Sequence, residues 1–488
     1  MKKFIFLIAI LFPILLAAQK TDKTFDLSVT KHQIKLNGQV INYTATAGYM
    51  PVKNENDSVK AKLFFVAYTK DGESDPSKRP ILFAYNGGPG SASLWLHMGA
   101  LGPKRVVMND DGSSTQPPYS YVDNEYSWLD KTDIVFIDPM LTGYTRPVGK
   151  NDKNEFTGYE NDLHLVGDFI RLYTTRYERW SSPKFIGGES YGTTRSAGLA
   201  GYLQNRYGFY LNGVILISAI LDFGADITDR GNDRPFPLLL PTFSATAWYH
   251  HKVPQYKDLH SLLKDVESFS INEYASALLK GDQLSDDEKN KIAERLHSFT
   301  GLSTTYLLQT NLRLYVGRFN KELLRSEGKT VGRLDTRFTG YDYDEAGDEF
   351  DYDPSYDKTI YGVYAMAAND YIRRTLKYEN DLPYEVLTGR PRPWPLSSDK
   401  YLNVAETLRD AMTKNPFLKV WIANGFYDMA TPYFATRNVV DHMFLKKELK
   451  KNITLTYYEA GHMMYIHKPS LIQLKKDFDQ FIQSALPK

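Results

Sequence analysis

The stretch Pro183-Lys-Phe-Ile-Gly-Gly-Glu-Ser-Tyr-Gly192 constrains this chain more than any other. An apolar strand end, Phe185-Ile186, runs into Gly188-Glu189-Ser190-Tyr191-Gly192, and a helix-compatible run from Thr193 to Leu203 follows at once. A serine placed in a sharp strand-to-helix turn sits on strained backbone, so its neighbours must be small. The turn lifts the hydroxyl above the sheet edge, where a base can reach it. Ser190 is therefore the candidate nucleophile. A G-x-S-x-G pattern alone is weak, because Gly and Ser are common, and the assignment depends on finding its partners in the right order.

The pattern around this turn predicts a mostly parallel sheet covered by helices on both sides. Pro80–Tyr85, Asp133–Ile137, Phe185-Ile186, Gly213–Ile217, Lys419–Ala423 and Ile453–Tyr457 read as continuous apolar strands. Leu163, Val166, Ile170 and Tyr173 recur at helical spacing, and Leu471, Leu474, Phe478 and Phe481 share one face of a last helix. Upstream, Ile34–Leu36 and Val40–Tyr43 flank Asn37-Gly38, a two-residue hairpin signal, and Leu63–Tyr68 adds a further antiparallel strand. Between about 225 and 400 the alternation is lost. That region holds polar helical stretches such as Ser285 to Phe299, a Pro-rich loop at 390–395 and an acidic, tyrosine-rich run at 341–353. It reads as an inserted, largely helical cap, with the acidic run as a solvated or cap-packing loop whose spacing fits no standard calcium loop. The expected organisation is a signal peptide at 1–18, a first core segment at 19–225, the cap at 226–400 and a second core segment at 401–488.

A serine nucleophile needs a base, an acid that orients the base, and oxyanion donors, with the order Ser, Asp, His for a strand–turn–helix serine. Strand 419–423 runs into Asn424-Gly-Phe-Tyr-Asp428, and strand 453–457 into Glu459-Ala-Gly-His462. Asp428 and His462 thus lie beyond the carboxyl ends of strands, the edge at which ligands bind in such sheets. Of the other histidines after Asp428, His442 lies in a helical stretch and His467 in a Lys-Pro turn. The tandem His250-His251 has no carboxylate at metal spacing and is expected to pack in the cap. Oxyanion donors are expected from the NH of Tyr191 and from the glycine loop Tyr85-Asn-Gly-Gly-Pro-Gly-Ser-Ala-Ser93. That loop lacks the Gly-Lys-Ser/Thr ending of a phosphate cradle.

Taken in order, Asn86-Gly-Gly-Pro-Gly90, Gly188-Glu-Ser-Tyr191, Asp428 and Gly461-His-Met463 resemble the serine carboxypeptidase family, of the cathepsin A and carboxypeptidase Y type. Leu101-Gly-Pro103, Asn124-Glu-Tyr-Ser-Trp128 and Ile137-Asp-Pro139 stand where that family has similar segments, and the likeness spans roughly residues 60–220 and 415–485. The resemblance implies an α/β-hydrolase fold with a cap inserted before the aspartate, and release of C-terminal residues from peptides. It implies that Ser190 is the nucleophile, His462 the base, Asp428 its orienter, and that Gly88 and Tyr191 give the oxyanion NH groups. Asn86 and Glu189 would bind the terminal carboxylate of the substrate, Glu189 in its protonated form.

The chain also departs from the family pattern. Ala84 replaces a usual tryptophan, Ala100 a second glutamate, Ser91 a cysteine, and Thr193 a glycine that usually follows Gly192. Paired carboxyls raise one another's pKa, and without the partner at 100 Glu189 lacks that support. The triad residues are untouched, but the changes keep open an esterase, acyltransferase or amidase-like hydrolase of the same fold. A non-catalytic binding protein on this scaffold is the third reading.

Composition limits the setting. Two lysines, an apolar run and closing alanines at 17 and 18 read as a cleaved export signal, too short for a stable membrane span. The expected destination is the periplasm or the exterior. The 488 residues include no cysteine, which excludes disulfides, thiolate metal sites and a cysteine nucleophile. Net charge is +1; loss of Lys2 and Lys3 with the leader leaves 57 basic against 58 acidic residues, a balance of −1, and supplies no field for nucleic acid. A peptide substrate is expected, with no metal or cofactor, and the oligomeric state, monomer or homodimer, is left open.

Overall fold

The computed structural model describes residues 27–54, 56–149, 153–396 and 401–486. The apolar leader read at 1–18 lies outside the described residues. No described helix is long and apolar enough to cross a membrane.

Nine strands form the path of the main sheet: β1 (Leu27–Leu36), β2 (Gln39–Lys53), β3 (Val59–Lys70), β4 (Ile81–Tyr85), β5 (Asp133–Ile137), β6 (Lys184–Ser190), β7 (Gly213–Ala219), β8 (Lys419–Gly425) and β9 (Ile453–Tyr458). Their spatial order is β1-β2-β3-β5-β4-β6-β7-β8-β9. The first four in this order pair antiparallel, and from β5 onward every pairing is parallel. The hairpin read at Asn37-Gly38 joins β1 to β2, with positive φ at both residues (50° and 80°) as a tight right-twisted connection requires. Strands β4, β5 and β7 are buried along their whole length, which explains why they read as unbroken apolar runs.

Helices cover both faces. On one side α1 (Tyr159–Arg176) and α2 (Tyr191–Tyr207) pack with Phe65, Phe83, Ile186 and Val214. On the other, the C-terminal helix Lys468–Ala485 lays Leu474, Phe478 and Phe481 against Trp128, Phe185 and Trp421; the Trp128 and Phe478 rings stack with centroids 3.7 Å apart.

The stretch read as one cap divides in its packing. Helices Pro235–Tyr249, Leu259–Phe269 and Asp286–Thr300 bury Phe243, Val266, Leu296 and Phe299 in a third core, while Leu238, Ala245, Leu259 and Leu263 of the first two join the core on the α1–α2 side of the sheet. The polar helix expected at 285–299 is present, and Ser285 and Glu288 close a capping box at its start. Residues 354–386 behave differently. Ile360, Val363, Tyr364, Tyr371 and Val386 join the sheet's own second core. The acidic run at 341–353 is mostly exposed; Tyr343 is 95% accessible, while Asp342 is buried against Lys321 at 2.5 Å. His250 donates from Nε2 to the Thr336 carbonyl (2.7 Å), inside the first of these two packing units.

Candidate active site

Strand β6 hands Ser190 directly to α2, with φ 60° and ψ −131° at the serine, a conformation that L-residues rarely adopt. The turn closes so tightly that a Cβ on Gly188 would lie 2.1 Å from the Gly192 carbonyl oxygen. The glycine loop after β4 comes against the same turn: a Cβ on Gly87 would lie 2.4 Å from the Tyr191 nitrogen. Gly88, with φ 99°, follows in that loop, and the NH of Tyr191 opens α2, where aligned peptide dipoles favour negative charge.

Beneath the turn, Arg195 of α2 is fully buried and holds the loop in place. Its guanidinium donates to both oxygens of Asp162 (2.7 and 3.2 Å) and to the Asn86 carbonyl (2.8 Å), and it lies over the Tyr85 and Tyr191 rings. Neither Arg195 nor Asp162 stands out in the sequence, since an Asp and an Arg on separate helices carry no local sign that they meet.

The other two expected residues do meet. Nδ1 of His462 is 2.7 Å from Oδ2 of Asp428, which is wholly buried. Asp428 also accepts from the Ala430 NH (2.8 Å), the Thr431 NH (3.1 Å) and the Thr431 hydroxyl (2.7 Å). A carboxylate so supplied with donors is fixed in place and holds the imidazole in one orientation. The histidine backbone is tied on both sides: its NH donates to the Leu334 carbonyl (2.7 Å) and its carbonyl accepts from the Ser218 hydroxyl (2.6 Å). Burial pulls the imidazole pKa down, but Asp428 and Glu189 outweigh that and hold it above its ordinary value. Thr431, three residues past Asp428, was not foreseen; its place in a Met-Ala-Thr-Pro turn is the one local hint.

Ser190, His462, Asn86, Gly88, Glu189 and Tyr191 all line one cavity of about 680 Å³. Asn86 and Glu189 are joined there, the Asn86 amide donating to Oε1 at 2.9 Å, while the Tyr465 hydroxyl donates to Oε2 at 2.5 Å. Burial pushes the Glu189 pKa up to about 7, against the pull of nearby His462 and of these two hydrogen bonds. The protonation that a second carboxyl at position 100 would have promoted is thus promoted by burial instead. Tyr465, three residues beyond His462, was missed because a tyrosine in an apolar turn reads as core.

A strap at 385–395 covers the glycine loop. Ser91 and Leu387 form a backbone bridge, the Thr388 NH donates to the Gly90 carbonyl (2.9 Å), and Trp394 Nε1 donates to the Tyr191 hydroxyl (3.1 Å). The position where the family resemblance places a cysteine is therefore braced by backbone pairing, and the Ser91 hydroxyl accepts from Trp95 Nε1 at 2.8 Å.

His442 and His467, set aside from the site by sequence, lie elsewhere. The first bonds its own helix at the Asn438 carbonyl, and the second the Ser470 hydroxyl at the start of the last helix.

A sheet of this order, with a serine turn after its central strand and an inserted cap, is the α/β-hydrolase fold, and the solved structure of the Kex1 prohormone-processing carboxypeptidase from Saccharomyces cerevisiae shares it (TM-score 0.54, 18% identity, 90% of this chain and 91% of that one). The serine carboxypeptidase family model matches residues 35–475, and the chain belongs to that family. Among curated relatives, it is 31% identical over 214 residues to serine carboxypeptidase-like 33 of Arabidopsis thaliana, covering 42% of this chain and 41% of that protein. It is 34% identical over 157 residues to the pheromone-processing carboxypeptidase KEX1 of S. cerevisiae, covering 30% of this chain and 20% of that protein. The aligned parts thus span less than half the length of either relative.

Proposed function

We propose that this protein is an exported serine-type carboxypeptidase that releases C-terminal residues from peptides through an acyl-enzyme on Ser190. The observation that carries the reading is the 2.7 Å bond from buried Asp428 to His462, which lines the same cavity as Ser190. With Nδ1–H engaged by the carboxylate, the lone pair of Nε2 is left to take the proton of the Ser190 hydroxyl. Ser190 Oγ attacks the scissile carbonyl, and the NH groups of Gly88 and Tyr191 receive the developing oxyanion. His462 then protonates the departing amine, and water, deprotonated by the same imidazole, releases the acyl group.

The terminal carboxylate of the peptide is received by Asn86 and protonated Glu189. A Glu189 pKa of about 7 supports this role, since below it the carboxyl can donate and above it the charge repels. Family membership supports the reaction class. The Lys-Lys start, the apolar run and the alanine end of the leader support export.

An esterase or amidase-like reading of the same centre draws on Ala84 and Ala100. Blocked dipeptides with free and amidated C-termini separate the two. The free acids should be turned over faster below pH 7; a preference for amides and esters at every pH would overturn the carboxypeptidase reading.

A further inference from the structure

The cavity wall on the β7 side carries a carboxyl group that the proposed chemistry does not use. The segment after β7 forms a short helix, Phe223–Asp226, capped by Asp222, whose carboxylate accepts from the Gly224 NH at 3.0 Å. Asp226, at its end, lines the cavity together with Ile220, Phe223 and Ile227. Its Oδ1 is buried and has no hydrogen-bond partner, and among the described residues no cation pairs with it. Arg234, whose charge acts on this carboxyl, is committed elsewhere: it bonds Asp222 at 2.6 Å and Asn438 at 3.4 Å.

An uncompensated buried carboxyl costs stability unless something supplies a partner. Burial, with Asp222 and Asp428 nearby, drives its pKa well above the ordinary range, and Arg234 only partly opposes this. These surroundings disfavour its charge while nothing cationic is bound; a bound cation would favour the charged form and give Oδ1 a partner.

Topology says which part of a peptide would lie there. Strand β6 sits between β4 and β7, so Ser190 emerges between the loops that follow those two strands. Asn86 and the glycine loop follow β4, and Asp226 follows β7. With the terminal carboxylate on the β4 side, the residue before the cut extends toward the β7 side. We infer that Asp226 selects substrates with a basic side chain, lysine or arginine, at the residue whose carbonyl Ser190 attacks. This assignment rests on the carboxypeptidase reading above.

The test uses the full protein and blocked dipeptides that differ only before the cut: lysine, its uncharged isostere norleucine, and glutamine. The parent should favour lysine over norleucine in kcat/KM by at least about thirtyfold, the scale of a buried charge left unpaired. Asp226→Asn should bring that ratio close to one, and Asp226→Glu should restore much of it, with fluorophosphonate labelling of Ser190 confirming that each variant is folded. A parent that treats lysine and norleucine alike, a preference for glutamine over lysine, or an unchanged ratio in Asp226→Asn would overturn the assignment while leaving the carboxypeptidase reading intact. If none of the three free acids is cleaved by labelled, folded protein, the carboxypeptidase reading itself fails.

Discussion

The hydroxyl of Tyr465 donates to Oε2 of Glu189 at 2.5 Å, from the turn that carries His462 to the turn that carries Ser190. It reaches there because Gly99 gives it room: a Cβ at that position would lie 2.3 Å from the tyrosine ring. Beside it, Ala100 stands where the family resemblance places a second glutamate. The space and the polarity of a carboxyl pair are thus replaced by a phenol and a buried, raised carboxyl.

That contact has a signed consequence. A donor to a carboxylate favours its ionised form, so the Tyr465 bond lowers the Glu189 pKa. Tyr465→Phe keeps the ring and removes the donor, which raises that pKa. Turnover of free-acid peptides should then persist to higher pH than in the parent, by on the order of one pH unit, the equivalent of one hydrogen bond. KM against pH for a blocked dipeptide checks this; a shift toward lower pH would contradict it.

On the proposed reading, Glu189 should set the alkaline limit of the parent. Its pKa of about 7 lies above the ordinary glutamate value, so the neutral, donating form is complete well below pH 7 and is lost as pH rises through it. KM for free-acid substrates should climb by up to about tenfold per unit above that point, with kcat less affected. Glu189→Gln cannot ionise and should show no such climb. The same KM profile for both proteins would remove Glu189 from carboxylate binding.

Arg195 and Asp162 test the support beneath the site. Both are buried, and each satisfies the other. Arg195→Met leaves Asp162 unpaired and the Asn86 carbonyl without its donor, and should destabilise the protein by about 3–5 kcal/mol. Denaturant unfolding of parent and variant measures this. A loss below about 1 kcal/mol would mean that the pair does not hold the glycine loop.

Much of the centre was legible because its parts are encoded locally. Strand ends, the G-x-S-x-G turn and the glycine loop each leave a mark within a dozen residues, and β5 was read with its observed bounds, Asp133–Ile137. Asp428 and His462 could be ordered because both follow strands. What escaped reading depends on distant pairing. Arg195–Asp162, Tyr465–Glu189 and the donation from Thr431 to Asp428 place ordinary residues beside one another only after folding. The inserted region was read as a single piece because periodicity does not tell which core a helix will join; Phe243 and Tyr371, both apolar-flanked aromatics, end up in different ones.

The most direct measurement is the site of covalent capture. Full-length folded protein treated with a fluorophosphonate and mapped by mass spectrometry should carry one adduct, on the peptide containing Ser190, and His462→Gln should slow its formation by several orders of magnitude. An adduct on another residue, or none in protein shown to be folded, would contradict the assignment of Ser190 as the nucleophile.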